Sequence, residues 1–330
     1  MIKALFKIVF VCFLLLLIAA GYLTYGLLLP VAMPQAKLVQ LRPGSSTRHI
    51  ANELKDAAII RSVPAFLLLH YWRVQPLKAG EYLFDRRANA LEVYDRLARG
   101  DIYVHTLVIP EGYNLWDIAT AMDTAGLATR NEFLQIATQD VSLIADLDPT
   151  AKSLEGYLFP DTYAFTRTQS LPEMVAVMVR RFRQNARALG LVSDVHRVVT
   201  MASIVEKETA APEERPLIAS VYYNRLTRRM AFGADPTVVY AALLAGRYTG
   251  VIHESNLQSD SPYNTYKNRG LPPGPIANPG RASLAAAMHP AQTDYLYFVS
   301  DNNGHHRFAR TAEEHDRNVM VYRRAAGTVR

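Results

Sequence analysis

The chain has 330 residues, half of them hydrophobic and a fifth charged, with 36 Lys and Arg against 30 Asp and Glu for a net charge of +6. That length suggests about two domains at roughly 150 residues each, and that apolar fraction excludes a disordered chain. The one cysteine, Cys12, excludes an intrachain disulfide framework and a cysteine-based zinc site, and leaves a thiol catalyst elsewhere without a residue to use.

In chain order the first feature is IVFVCFLLLLIAAGYLTYGLLL at residues 8–29, a run without a charge. A helix needs about 20 such residues to cross hydrocarbon. A cleaved signal peptide, with a small-residue site near Ala19 and Ala20, is the other reading, but its apolar core should be about 7 to 15 residues long, and this run continues through Leu29. Lys3 and Lys7 precede it and no basic residue follows before Lys37, so the positive-inside rule puts the N-terminus in the cytoplasm and the rest of the chain outside. Without those two lysines the outer part is at +4, too little and too scattered for nucleic acid. A mildly basic exported surface suits anionic polymers or lipid headgroups. An ordinary solvated surface is the competing reading.

A short linker around Pro30 and Pro34 leads into a faint repeat. Gly44, Ile50, Ala51, Leu54 and Ile59 recur at a constant offset as Gly112, Ile118, Ala119, Met122 and Leu127. Each copy reads as an extended apolar run (38–41 and 107–109), a turn at Pro43-Gly44 or Pro110-Glu111-Gly112, then an amphipathic helix. Ser45, Ser46 or Thr47 is expected to cap the first helix and Asn114 the second. Two copies are too few for a solenoid, so the repeat predicts small strand-helix modules beside a main domain. Longer helices are predicted over 174–189, 193–209 and 213–230. A Gly/Pro/Asn-rich loop follows at 259–280, SDSPYNTYKNRGLPPGPIANPG, where Pro lacks a donor and Gly favours positive φ. YLYFVS at 295–300 predicts a buried strand, and 311–324 a closing helix with Glu313 and Glu314 near its start.

The chain contains no G-x-S-x-G elbow, no phosphate-binding G-x-x-x-x-G-K-[ST] loop and no H-E-x-x-H. The adjacent His305 and His306 are poorly placed to share an ion, so no metal site is expected. The informative segment is VHRVVTMASIVEKETA at 195–210. On a helix Val195, Val199, Ala202 and Glu206 form one stripe, and Val198, Met201, Val205 and Glu208 form another about 200° away. A carboxyl ending an apolar stripe is desolvated, which raises its pKa and suits it to act as a general acid. Periodicity alone does not choose between Glu206 and Glu208, and an ordinary ion pair with a nearby Arg or Lys is the plainer alternative. In LEGYLFPDTYAF at 154–165, Glu155 and Asp161 sit among aromatics, a pattern that suits a sugar and equally an aromatic core segment. Asn224, Asp235, Tyr263, Asn264, Thr265 and Tyr266 add polar groups of the same kind.

The ordered motifs VIPEGYNLWDIA (108–119), LEGYLFPDTY (154–163), ASIVEKET (202–209), DPTVVY (235–240), YNTY with GLPPGPIANPG (263–280), and YLYFV with EEHDRNV resemble the endolytic murein transglycosylases of the MltG (YceG-like) type. The likeness runs unbroken over about 107–319 and is looser over 36–99; Asp316 stands where the family more often has Asn. The resemblance implies an α+β protein: a cytoplasmic N-terminus (1–7), an inner-membrane helix (8–29), a LysM-like periplasmic module (36–103) and a helix-rich catalytic domain (104–330) with a second LysM-like element at about 107–145. It implies Glu206, the first glutamate of IVEKE, as the catalytic acid. It implies a glycan groove lined by Glu155, Tyr157, Asn224, Asp235, Tyr263, Asn264 and Tyr266, or loops held around Glu206 by the same residues. The implied reaction cuts the β-1,4 bond between N-acetylmuramic acid and N-acetylglucosamine in nascent peptidoglycan strands and closes a 1,6-anhydro ring, with no metal or organic cofactor. Peptidoglycan synthases are the candidate protein partners. A membrane-anchored glycan-binding scaffold without catalysis, and a hydrolytic muramidase, are the competing readings.

Overall fold

A computed structural model of the chain describes residues 2–325 and 327. Among them the architecture is α+β, rich in helices, with three two-stranded sheets. The chain divides into two units, one of residues 1–105 with 164–170, the other of residues 106–163 and 171 onward.

The first unit opens with α1 (Ile2–Leu28). From Leu5 to Leu28 this helix is apolar and none of its most hydrophobic stretch is buried, so it is long and apolar enough to cross a membrane. Strand β1 (Lys37–Leu41) follows, then α2 (Thr47–Asp56), α3 (Val63–Arg73), β2 (Gly80–Phe84) and α4 (Ala90–Arg99). β1 and β2 pair antiparallel with Val39 opposite Tyr82 and Lys37 opposite Phe84. Val39 and Leu41 point inward while Leu38 and Gln40 face out, the period-2 alternation of a strand with one covered face. Ser46, one of the three expected caps, accepts the N–H of His49. Asn89 and Glu92 form a reciprocal capping box at α4. Ile50, Leu54, Phe66, Tyr82, Phe84, Tyr94 and Leu97 form the unit's apolar core.

The second unit takes in β3 (His105–Ile109) from its second residue, α5 (Leu115–Thr124), α6 (Arg130–Gln139) and the first three residues of β4 (Asp161–Phe165), which pairs with β3. The repeat read from the sequence is a structural one. Gly44 and Gly112 both turn at φ of 79° and 78°, a conformation that glycine adopts without steric cost. The offset continues past the helices: Ile59 donates to Leu54 as Leu127 donates to Met122, and Ala58 and Gly126 both have positive φ. Both copies thus run strand, helix, helix, strand. Asn114 caps α5 in a box with Asp117, as the sequence leads one to expect.

α7 (Leu171–Leu189), α8 (Val195–Glu208), α9 (Arg215–Thr227), α10 (Asp235–Leu244), the single turn α11 (Glu254–Leu257) and α12 (Arg281–Met288) complete the helical body. The stretch 259–280 holds neither helix nor regular strand, as its Pro and Gly content predicts, but it is no loose excursion: Gly274 to Gly280 are all buried. β5 (Tyr297–Ser300) and β6 (His306–Ala309) pair antiparallel, and α13 (Ala312–Ala325) packs on them. The expected burial of the strand near 297 is corrected. All four β5 residues are only half-buried: α13 packs on the ribbon and α9 reaches it through Tyr222 against Phe298 and Arg225 over Tyr297, but two strands of four residues keep part of their surface exposed. α8 is buried all round from Val198 to Val205, where the hydroxyls of Thr200 and Ser203 donate to backbone carbonyls one turn back, and its first carboxyl groups come in the last turn, where Glu206, Lys207 and Glu208 follow one another.

Candidate active site

Glu206 lies in the last turn of α8, at the meeting of three segments of the second unit. Its Oε1 accepts from Arg215 at the start of α9 at 3.1 Å, and its Oε2 accepts the backbone N–H of Gly280 at 2.9 Å. Gly280 is the N-cap of α12, so the carboxylate lies at the positive end of that helix. The Glu206 side chain is 5 % exposed and that of Arg215 is 9 % exposed. Arg215 also reaches Glu111 at 3.5 Å. Burial, and then the neighbouring charge of Glu206, hold the Glu111 carboxyl above its ordinary range. The plainer alternative for Glu206, an ion pair with an arginine, therefore exists; it is an ion pair shared between two carboxyl groups, and the buried Nε of Arg215 has no hydrogen-bond partner among the described residues.

Two loops close on this point. Gly112 donates to the Asn278 carbonyl and Asn278 donates to the Tyr113 carbonyl, lacing the turn after β3 to the segment before α12. Lys207 Nζ donates to the Gly112 carbonyl at 3.2 Å. A Cβ on Gly280 would fall 1.8 Å from a Glu111 carboxyl oxygen, so the bare glycine is what lets Glu111 lie over the start of α12. A hollow of about 680 Å³ lined by Glu111, Tyr113, Asp117, Thr120 and Lys207 opens on one side. A second, of about 260 Å³, is lined by Asn114, Lys207, Asp235, Tyr240 and Ile276. Lys207 is common to both, and Glu206 lines neither.

The residues named from the sequence fall into two groups. Asp235 and Tyr266 are exposed and joined, the Tyr266 hydroxyl donating to Asp235 at 2.6 Å. Tyr263 is half-buried and packs on Tyr240, which meets Trp116 edge-on. Glu155, Tyr157 and Asn264 are fully buried and turned inward. The Tyr157 hydroxyl donates to Asp148. Asn264 donates to the carbonyls of Leu257 and Ser259, knotting the loop after α11. Asn224, half-buried, donates to the carbonyls of Thr293 and Tyr295. These four hold loops, and their side chains do not face an open groove. Arg215, Glu111, Lys207 and Asn278 were not singled out by sequence reasoning. Glu111, Lys207 and Asn278 lie inside quoted motifs, whereas nothing local marks Arg215.

Glu155 is an interior acid. It accepts from the Leu115 N–H at 3.1 Å and the Asn278 side chain at 3.0 Å, and burial pushes it up to about 8. Glu208 accepts from the Tyr222 hydroxyl at 2.6 Å and is pushed by burial up to about 7. A carboxyl whose folded pKa lies above its unfolded value must take up a proton on folding at neutral pH. The stability it contributes is complete below the unfolded value, about 4.3, and is lost as pH rises to the folded one. Urea unfolding midpoints should accordingly fall between about pH 5 and pH 8, and Glu155→Gln should flatten that slope. An unchanged slope would show that Glu155 does not carry it.

The chain belongs to the YceG-like family, whose sequence pattern matches residues 39–321. Among its relatives, the endolytic murein transglycosylase of Bacillus subtilis strain 168 is 36 % identical over 336 residues, 93 % of this chain and 91 % of that protein. The endolytic murein transglycosylase of Streptococcus pneumoniae strain D39 is 32 % identical over 96 % of this chain and 65 % of its own length. A crystal structure of a YceG-like protein from Listeria monocytogenes is 34 % identical and superposes with a TM-score of 0.57, covering 86 % of this chain and 99 % of that one.

Proposed function

We propose that this protein is an endolytic peptidoglycan lytic transglycosylase with Glu206 as its acid. The observation that carries the reading is the setting of Glu206: a carboxyl 5 % exposed, beside Arg215 and the Gly280 N–H, and next in sequence to Lys207, which lines two hollows of polar and aromatic groups. Family membership and the names of the relatives support it.

A protonated Glu206 gives its proton to the leaving oxygen of the β-1,4 bond as the muramoyl C1 takes on oxocarbenium character. Arg215 and the Gly280 N–H then face the carboxylate left behind. That carboxylate takes the proton from the muramoyl C6 hydroxyl, whose oxygen attacks C1 and closes the 1,6-anhydro ring. The nucleophile is part of the substrate, so proximity replaces an activated water. Glu111, 47 % exposed at its side chain, swings aside as the glycan enters. Asp235, Tyr263 and Tyr266 meet the strand beyond Lys207, and the buried Glu155, Tyr157 and Asn264 with Asn224 hold the loops that shape the groove.

The apolar α1 anchors the chain in the inner membrane with Lys3 and Lys7 on the cytoplasmic side. The strand-helix-helix-strand unit outside is a LysM-like, glycan-holding module, and the catalytic unit acts in the periplasm where synthases extrude new strands. The test is to incubate the full chain in detergent with uncrosslinked glycan strands and identify new ends by mass spectrometry. Anhydromuramoyl ends are expected. Reducing ends would mean hydrolysis, and glycan bound without any new ends would leave a binding scaffold.

A further inference from the structure

We propose that α3 lies on the periplasmic face of the membrane that α1 crosses, with Leu68, Tyr71 and Trp72 set into the lipid headgroup layer. The inference rests on the reading of α1 as an anchor. α3 is apolar on two faces. Ala65, Phe66 and Leu69 are buried in the unit's core, while Leu68, Tyr71 and Trp72, at helical spacing on the other side, are 47 %, 82 % and 80 % exposed. A surface helix ordinarily turns polar residues outward. Tyr and Trp are the side chains that favour the boundary between hydrocarbon and water, where the ring is covered and the polar edge stays wet.

What covers this face follows from where α3 is fixed. Gly26 of α1 is buried against its first turn, so close that a Cβ there would come within 2.9 Å of Ala65 and Ser62. Ser62 donates to the Tyr22 hydroxyl at 2.9 Å. Arg61 donates to the Tyr25 hydroxyl and to the carbonyls of Leu29 and Pro30. A span needs about 20 residues. Counted from Leu5 it ends near Thr24, and counted from Ile8 near Leu27, so both counts put the outer boundary of the hydrocarbon at the α1 turn that grips α3. The first turn of α3 is thus held at the level of the headgroups by the anchor itself, with Leu68, Tyr71 and Trp72 on the next two turns of the same helix. An amphipathic element held there gains from every apolar side chain it buries.

Trp72 is its own reporter, because the chain has two tryptophans and the other, Trp116, belongs to the second unit. The full chain is reconstituted in vesicles whose lipids are brominated near the top of the acyl chains, and its emission is compared with that of Trp72→Phe. The expected result is blue-shifted emission lost on bromination in the wild type, with the lipid-sensitive component absent from Trp72→Phe. Because Trp72 is largely exposed, Phe there leaves the fold intact, and Trp116 serves as the internal control. A chain that resists alkaline extraction from the vesicles while Trp72 stays unquenched and water-like overturns the proposal and leaves the anchor standing. A chain that alkali strips from the vesicles overturns both.

Discussion

Glu206→Gln should lower the rate of glycan cleavage by about 10²- to 10⁴-fold, the range in which a positioned general acid acts. The amide keeps the shape of the carboxyl and its oxygen can still accept the Gly280 N–H, but its N–H protons are too weakly acidic to be transferred to a leaving oxygen. Arg215 loses one partner and keeps Glu111 within 3.5 Å, so the stability cost should be limited to about 1–3 kcal/mol, the size expected for one buried polar contact. Anhydro-end formation measured beside the urea midpoint separates the two effects. Glu208→Gln is the matched control. Its bond partner is the Tyr222 hydroxyl, so cleavage should be largely retained. If the two variants behaved the other way round, the acid would be Glu208 and the role given to Glu206 would be wrong.

The largest effect on stability is expected at Gly156. Its φ is +88°, and a Cβ there would lie 2.6 Å from the Pro275 ring and 2.7 Å from Val199 on α8. Neither obstacle is the mobile end of a long side chain. Strained backbone in a region a side chain rarely visits costs about 1–3 kcal/mol, and overfilling a packed interior costs about as much again. Gly156→Ala should therefore lose about 4 kcal/mol in urea unfolding. A loss under about 1 kcal/mol would mean that this contact gives way easily. Because Val199 lies two turns before Glu206, any protein that still folds should also cleave more slowly.

The features legible in the sequence are those written in local chemistry. The turn at Gly44 and its counterpart at Gly112 are glycine conformations, and the caps at Ser46 and Asn114 are side-chain bonds to backbone a few residues on. The span of α1 follows from length and hydropathy. The choice between Glu206 and Glu208 was not legible, because α8 is enclosed on every side and both carboxyl groups end apolar stripes that are real. The inward turn of Glu155, Tyr157 and Asn264 was equally hidden. Polar residues among aromatics have the same composition in a sugar groove as in a hydrogen-bonded interior, and only the partners distinguish them. Arg215 meets Glu206 across the junction of two helices, a pairing no periodicity encodes.

Asn278 donates to the Tyr113 carbonyl and to Glu155, and accepts the N–H of Leu158. One side chain near the end of the chain thereby fastens two segments made more than a hundred residues earlier. Contacts so distant in sequence form late, because the whole intervening loop must first be closed. As the chain emerges from N- to C-terminus, Glu206 exists for some seventy residues before the Gly280 N–H that holds it. A chain interrupted before residue 280 would therefore carry Glu206, the acid proposed above, without the Gly280 N–H that holds it. Synthesis itself would then act as a safety interlock, arming a wall-cutting protein only once residue 280 of its 330 has been made.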